Sequence, residues 1–265
     1  MHRISRDDYE YLKAMEQQAR MSEQRYKRLK NSLPIPGVDD ASPQATLLAV
    51  DALRRIFLEE RFNLMDAIVA ERGYGPVSDS DTHFRGRVLE SVLNGHCTGQ
   101  SKPDFAYAEL KLIETKTLHE ITQVMTVGVI FEAIDRHSGD YAIVDYASSN
   151  FFKKCRRMIV VSYDKVGMQR GLVVNNVFAF EGSNRLWADK LEEDWLSISG
   201  EMQRTIAQYK AGTVRRKASG ICKSDSGGRN SRRPNGLLGI RNDSIVFTKK
   251  LFELASKHYY EVAGP

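Results

Sequence analysis

Ser101-Lys102-Pro103-Asp104-Phe105-Ala106-Tyr107-Ala108-Glu109-Leu110-Lys111 is the stretch on which the reading of this chain turns. Residues two apart in a strand point to the same face, so Glu109 and Lys111 are expected to project together from one edge of a sheet. Asp104, five residues before Glu109 at the mouth of the preceding turn, can converge on the same point. Two carboxylates and an ammonium in that arrangement suit phosphodiester hydrolysis. The carboxylates can hold a hard divalent cation, Mg²⁺ first, with Mn²⁺ expected to substitute. Lys111 can orient or deprotonate the attacking water and offset charge building on the phosphorane. A solvated hairpin carrying the same string is the alternative, because Glu-x-Lys is common on charged surfaces. Glu114-Thr115-Lys116 repeats the string with opposite parity, and in a continuing strand it faces the other side.

Outward from this stretch, residues 105–113 alternate as a strand would, and the apolar runs at 123–134, 158–161 and 172–180 predict further strands. Apolar residues at 84, 88, 89, 92 and 93 predict a helix, with Gly95 suited to its stop. A helix is expected between Leu186 and Lys210. Towards the N-terminus, residues 7–31 predict an exposed helix with a thin apolar stripe, Pro34-Ile35-Pro36-Gly37 breaks it, and 44–72 predict a second helix. Residues 1–76 are therefore expected to be a helical N-terminal region, either an appended module or the first helices of the main fold, and 77–265 the principal domain.

The chain has 265 residues, 42% hydrophobic and 28% charged, which excludes wholesale disorder and a coiled-coil rod. No apolar run reaches the length of a membrane span and no signal-peptide pattern opens the chain, so a soluble, cytoplasmic protein is expected. Cys97, Cys155 and Cys222 are too far apart to suggest a disulfide framework or a zinc site. The net charge of +5 is unevenly spread. Residues 204–257 carry thirteen Lys/Arg against three Asp/Glu, whereas the other 211 residues carry 26 against 31. A basic block on an acidic body is the footprint of a polyanion-binding surface, with a solvated basic tail as the alternative.

Gly86-Arg87-Val88-Leu89-Glu90 is followed by Gly99-Gln100-Ser101-Lys102-Pro103-Asp104-Phe105 and then by Glu109-Leu110-Lys111. The order of these motifs gives the chain a resemblance to the MutH family, the mismatch-repair nicking endonuclease and its type II restriction relatives. The resemblance continues in Phe152-Lys153-Lys154-Cys155-Arg156-Arg157-Met158-Ile159 and in Leu191-Glu192-Glu193-Asp194-Trp195, and so spreads over about residues 84–257. It implies an α/β fold, a mixed-sheet PD-(D/E)xK core flanked by helices, that hydrolyses double-stranded DNA. It further implies Asp104 and Glu109 as metal ligands, Lys111 as the catalytic lysine, Glu90 as a supporting helix carboxylate and Lys154 as an accessory lysine near the scissile phosphate. Lys153 is an alternative for the last role. The spacing from Asp104 to Glu109 is shorter than in the repair enzyme and closer to some monomeric restriction relatives.

Site-specific cleavage needs base-edge contacts, which Arg, Lys, Asn and Gln supply in the major groove. The glycine-rich loop and its flanks offer Lys223, Arg229, Asn230, Arg232, Arg233, Asn235, Arg241 and Asn242, some of which would touch only phosphate. The first expectation is a Mg²⁺-dependent type II restriction endonuclease. A strand-nicking enzyme working with mismatch-repair partners and a non-catalytic DNA-binding protein on a nuclease scaffold are the alternatives. The N-terminal helices are a candidate surface for a homodimer.

Overall fold

The computed structural model describes residues 6–72, 82–95, 103–117, 120–121, 126–129, 146–166, 171–210, 237–241, 244–247 and 249–263. Four helices come first: α1 (Arg6–Ser32), α2 (Pro43–Arg54), α3 (Leu64–Arg72) and α4 (Thr82–Val92). They are followed by β1 (Glu109–Thr117), β2 (Glu120–Ile121), β3 (Thr126–Val129), α5 (Asn150–Cys155), β4 (Met158–Val166) and β5 (Gly171–Phe180). The chain closes with α6 (Ala188–Lys210), β6 (Leu238–Arg241), β7 (Ser244–Phe247) and α7 (Lys249–Ala263). The fold is mixed α/β. The main sheet has the order β2-β1-β4-β5, with β1 and β4 parallel and the outer pairings antiparallel, and β3-β7-β6 form a smaller antiparallel sheet. Among the described residues no helix is long and apolar enough to cross a membrane.

Both faces of the main sheet are covered, which is why β4 opens on a continuous apolar run, Met158 to Val161, and β5 is apolar at most positions. Ile159, Val161 and Tyr163 of β4 face one cluster, built with Tyr26, Leu53, Ile56, Leu64, Ile68 and Leu89 of the N-terminal helices. Met158 and Val160 face the other, with Phe178, Phe180, Trp187, Leu191, Trp195 and Leu251. Helices from the first 76 residues thus share a core with the sheet. The C-terminal half of α1 docks through buried Tyr26, whose hydroxyl donates to Glu71 at 2.8 Å, and through Lys30, 2.7 Å from the same carboxylate. Its N-terminal half leaves Tyr11, Leu12 and Met15 exposed.

Several elements depart from the sequence expectations. The helix expected over 44–72 is two helices. α2 runs into a π-helical turn (Arg55–Glu59), Arg61 takes φ 55°, and Asn63 starts α3 by exchanging hydrogen bonds with Asp66. That reciprocal Asn-x-x-Asp cap is a helix-start signal legible in the sequence. The strand expected over 105–113 begins only at Glu109, because the preceding backbone is engaged elsewhere. Phe105 N–H bonds Ala108 O at 3.0 Å, Ala106 N–H bonds Val38 O at 3.0 Å, and Thr46 donates to Tyr107 O at 3.0 Å. The left-handed residue that ends α4 is Asn94, with φ 59°. Gly95 follows it and returns its N–H to Glu90 O at 2.8 Å, as in a Schellman stop. Of the run at 123–134, the described part is β3. The strand expected at 158–161 extends to Val166, and α7 was not anticipated.

In β5 the face reverses. Phe180 and Phe178 lie in one cluster and Val177, Val174 and Leu172 in the other, because Asn175 is an extra residue opposite the Ser162/Tyr163 step of β4. The bulged Asn175 donates to Thr115 Oγ1 and Asp164 Oδ2 at 2.9 Å each, and its carbonyl oxygen meets Ser162 Oγ. Its side chain therefore ties the three longest strands together. Just beyond β5, Gly182 packs so closely on α5 that a Cβ there would stand 2.5 Å from Cys155 O, while its N–H donates to the same oxygen at 2.9 Å. Gly182→Ala is expected to cost about 1–3 kcal/mol, read as a lower urea midpoint with unchanged slope.

Candidate catalytic site

The site is assembled where the parallel strands β1 and β4 begin. Glu109 opens β1, and its backbone N–H donates to Arg157 O at 2.9 Å, which pins the start of β1 to the link between α5 and β4. Its side chain is 1% exposed and points to the face that α5 covers. Lys111, two residues on and on the same face, places Nζ 2.5 Å from Glu109 Oε1. From α5, Lys154 reaches the same oxygen at 3.5 Å. Ser149 caps this short helix by accepting from Phe152 N–H, so the turn carrying Lys154 is set by a local signal and by the buried Cys155 beside it. Burial, with the charge of Glu109, pushes the Cys155 thiol well above its ordinary value, which leaves it an inert packing group.

Asp104 sits in the bend before β1, where its Oδ2 accepts from Leu110 N–H at 2.9 Å. Burial and the neighbouring Glu109 raise its pKa, and the Leu110 N–H, Lys111 and Lys154 oppose the rise. Two carboxylates close enough to disturb each other, in a desolvated place, are held as a pair by cations. The ammoniums of Lys111 and Lys154 both lie on Oε1 of Glu109, whereas Oε2 is buried with no hydrogen-bond partner among the described residues. An orphaned buried carboxylate oxygen is costly unless something meets it. Among the described residues no three His, Cys, Asp or Glu converge as a metal cage. The donors present fit a hard divalent ion that keeps several waters and takes one or two protein carboxylates, with phosphate oxygens completing the shell.

The structure therefore brings Asp104, Glu109, Lys111 and Lys154 together. It separates Lys154 from Lys153, which is exposed on the outer side of α5. Glu90 is half-buried in the last turn of α4, a helix that packs against β1. Glu114, of opposite parity to Glu109, lies on the far face, with Lys165 Nζ at 2.9 Å and the Tyr163 hydroxyl donating to it at 3.3 Å. Lys223, Arg229, Asn230, Arg232, Arg233, Asn235 and Asn242 lie outside the described residues, and Arg241 is the last residue of β6. The described end of the basic block is structural in part: Leu251 and Ala255 of α7 are buried, and Lys257 pairs with Glu261 at 3.7 Å.

Asp194 entered the sequence analysis only within the Leu191-Glu192-Glu193-Asp194-Trp195 motif and was given no role of its own. It is buried in α6, where Oδ2 accepts from Leu237 N–H at 2.5 Å and Leu238 N–H at 3.1 Å, and Lys190 stands 3.1 Å from Oδ1. It fastens the start of β6 to α6. Its only signal was a lone Asp within an otherwise apolar helix face. In comparisons with known proteins the chain matches no family model and no curated sequence.

Proposed function

We propose that this protein is a metal-dependent endonuclease of the PD-(D/E)xK type that cuts double-stranded DNA at a short specific sequence, as type II restriction enzymes do. The observation that carries the reading is Glu109, a buried carboxylate with two lysines on one oxygen and nothing on the other, adjacent to Asp104. A surface Glu-x-Lys would be solvated. This one is desolvated at the edge of a sheet and faces a second carboxylate, a combination that favours a functional site over a salt bridge. A mixed sheet with a central parallel pair and helices on both faces is compatible with that core.

In this reading Asp104 and Glu109 would hold Mg²⁺, which would supply charge neutralisation at the phosphate and a more acidic water. Lys111 orients or deprotonates the nucleophile, and Lys154 meets the non-bridging phosphate oxygens. Glu90 supports the site from α4. The basic loop, including Arg229, Arg232 and Arg233, supplies the DNA contacts that position and specify.

The test is digestion of unmethylated plasmid and phage DNA with Mg²⁺ or EDTA, alongside Glu109→Ala and Lys111→Ala, followed by sequencing of the ends. Discrete metal-dependent fragments, lost in both variants, are the expected result. Nicking alone, or cleavage only with added mismatch-repair proteins, would replace the restriction reading by the repair one. Binding without cleavage would leave a DNA-binding scaffold.

A further inference from the structure

A cleft of about 270 Å³ opens beside the catalytic cluster, between the Pro103–Ala108 turn and the end of α5. Asp104 is flanked in sequence by two of its lining residues, Pro103 and Phe105, and Lys153 on its rim precedes Lys154. The cleft and the cluster thus draw their residues from the same turn and the same short helix.

Its lining is chemically one-sided. Three cations border it, Lys153, Arg156 and Arg157, and no carboxylate is among the residues that line it. Lys153 and Arg156 are exposed, and neither has an ion pair among the described residues. Arg157 is fixed, with Nη1 donating to Ala41 O at 3.0 Å. The inner wall holds the rings of Phe105 and Tyr107, stacked with centroids 4.9 Å apart. Three like charges around a concave surface repel one another, and an anion of matching size removes that repulsion. Guanidinium groups recognise phosphate oxygens in a bidentate way, and phosphate contacts are what fix the register of a nucleic acid on a protein.

We infer that this cleft is a phosphate subsite, taking the backbone phosphate next to the scissile one on the cut strand. The inference rests on the endonuclease reading and adds a positioning role for Lys153 and Arg156. These two hold the strand so that the scissile phosphate falls on Asp104, Glu109, Lys111 and Lys154. Lys153 and Lys154, adjacent in sequence, then serve two successive phosphates.

The test starts from binding of a 30-bp duplex, measured by fluorescence anisotropy from 50 to 200 mM KCl without divalent metal. Wild type is compared with Lys153→Gln/Arg156→Gln and, as a control of equal charge change, with Arg20→Gln/Arg28→Gln on the exposed side of α1. The cleft variant is expected to lose about 0.9 from the slope of log K against log salt, the value for one phosphate contact, with the control unchanged. Equal losses in both variants, or none, would overturn the subsite. Absence of duplex binding by wild type would overturn the endonuclease reading along with it.

The second arm uses a duplex spanning the cut, with a neutral methylphosphonate replacing the phosphate beside it. Cleavage by wild type should slow by at least about tenfold, and the same replacement should add nothing in the cleft variant, as a double-mutant cycle requires of partners in contact. Independent, multiplying losses would overturn the assignment while leaving the nuclease activity established.

Discussion

Glu109→Gln is expected to reduce Mg²⁺-dependent cleavage by about 10³-fold or more and to leave the protein folded. In the proposed nuclease, the loss follows from removing the carboxylate best placed to hold the ion, a contribution of several kcal/mol at about 1.4 kcal/mol per factor of ten. The retained fold follows from the surroundings. Glu109 is a buried charge whose Oε2 has no partner among the described residues, a state that costs stability in the absence of an ion. An amide of the same shape removes that charge. The two lysines it releases are 23% and 20% exposed, so their ammoniums can turn to water. Plasmid cleavage and urea unfolding, measured together, should therefore move in opposite senses or leave stability unchanged. A variant that unfolds would make Glu109 a structural residue, and one that cuts normally would remove it from the chemistry.

Asp194→Ala is expected to have the largest effect on stability of any single change distant from the site, about 3 kcal/mol. The carboxylate receives two buried backbone N–H groups, from Leu237 and Leu238, and both would lose their partner. Hydrogen bonds to a charged acceptor contribute about 1.5–3 kcal/mol, and a buried donor left unpaired costs its desolvation. Asp194→Asn keeps an acceptor oxygen and should lose about half as much. Urea midpoints of the two variants check the order; a near-neutral alanine would show that β6 is held by its apolar contacts alone. Since β6 follows the basic stretch in sequence, the alanine variant should also weaken duplex binding if that stretch carries the proposed DNA contacts.

Much of the layer structure was legible from hydrophobic period. The runs at 158–161 and 172–180 are strands because they are apolar at nearly every position, which suits a sheet covered on both faces. The placement of Glu109 with Lys111, and of Glu114 away from them, needed only the two-residue repeat of a strand. The break between α2 and α3 was present as Asn63 and Asp66 but was masked by apolar spacing that continues through it. The turn at 105–108 was not legible, since Phe105 and Tyr107 alternate as a strand does. Contacts with Val38 and Thr46, more than 60 residues earlier, decide against a strand.

The sequence by itself determined that an acidic pair and a lysine would occupy one end of a half-buried strand, and that apolar strands and amphipathic helices would build an α/β protein around it. These follow from local periodicity, which each segment carries within itself. Only the tertiary structure decided that Lys154, not Lys153, reaches Glu109, that Arg157 anchors the start of β1, and that Asn175 reverses the faces of β5. Each depends on the register of strands far apart in the chain. β1 pairs with β4 over a separation of about fifty residues, and a shift of one residue would turn every side chain to the opposite face. That register is set by how both apolar clusters fill at once, a condition no single segment contains.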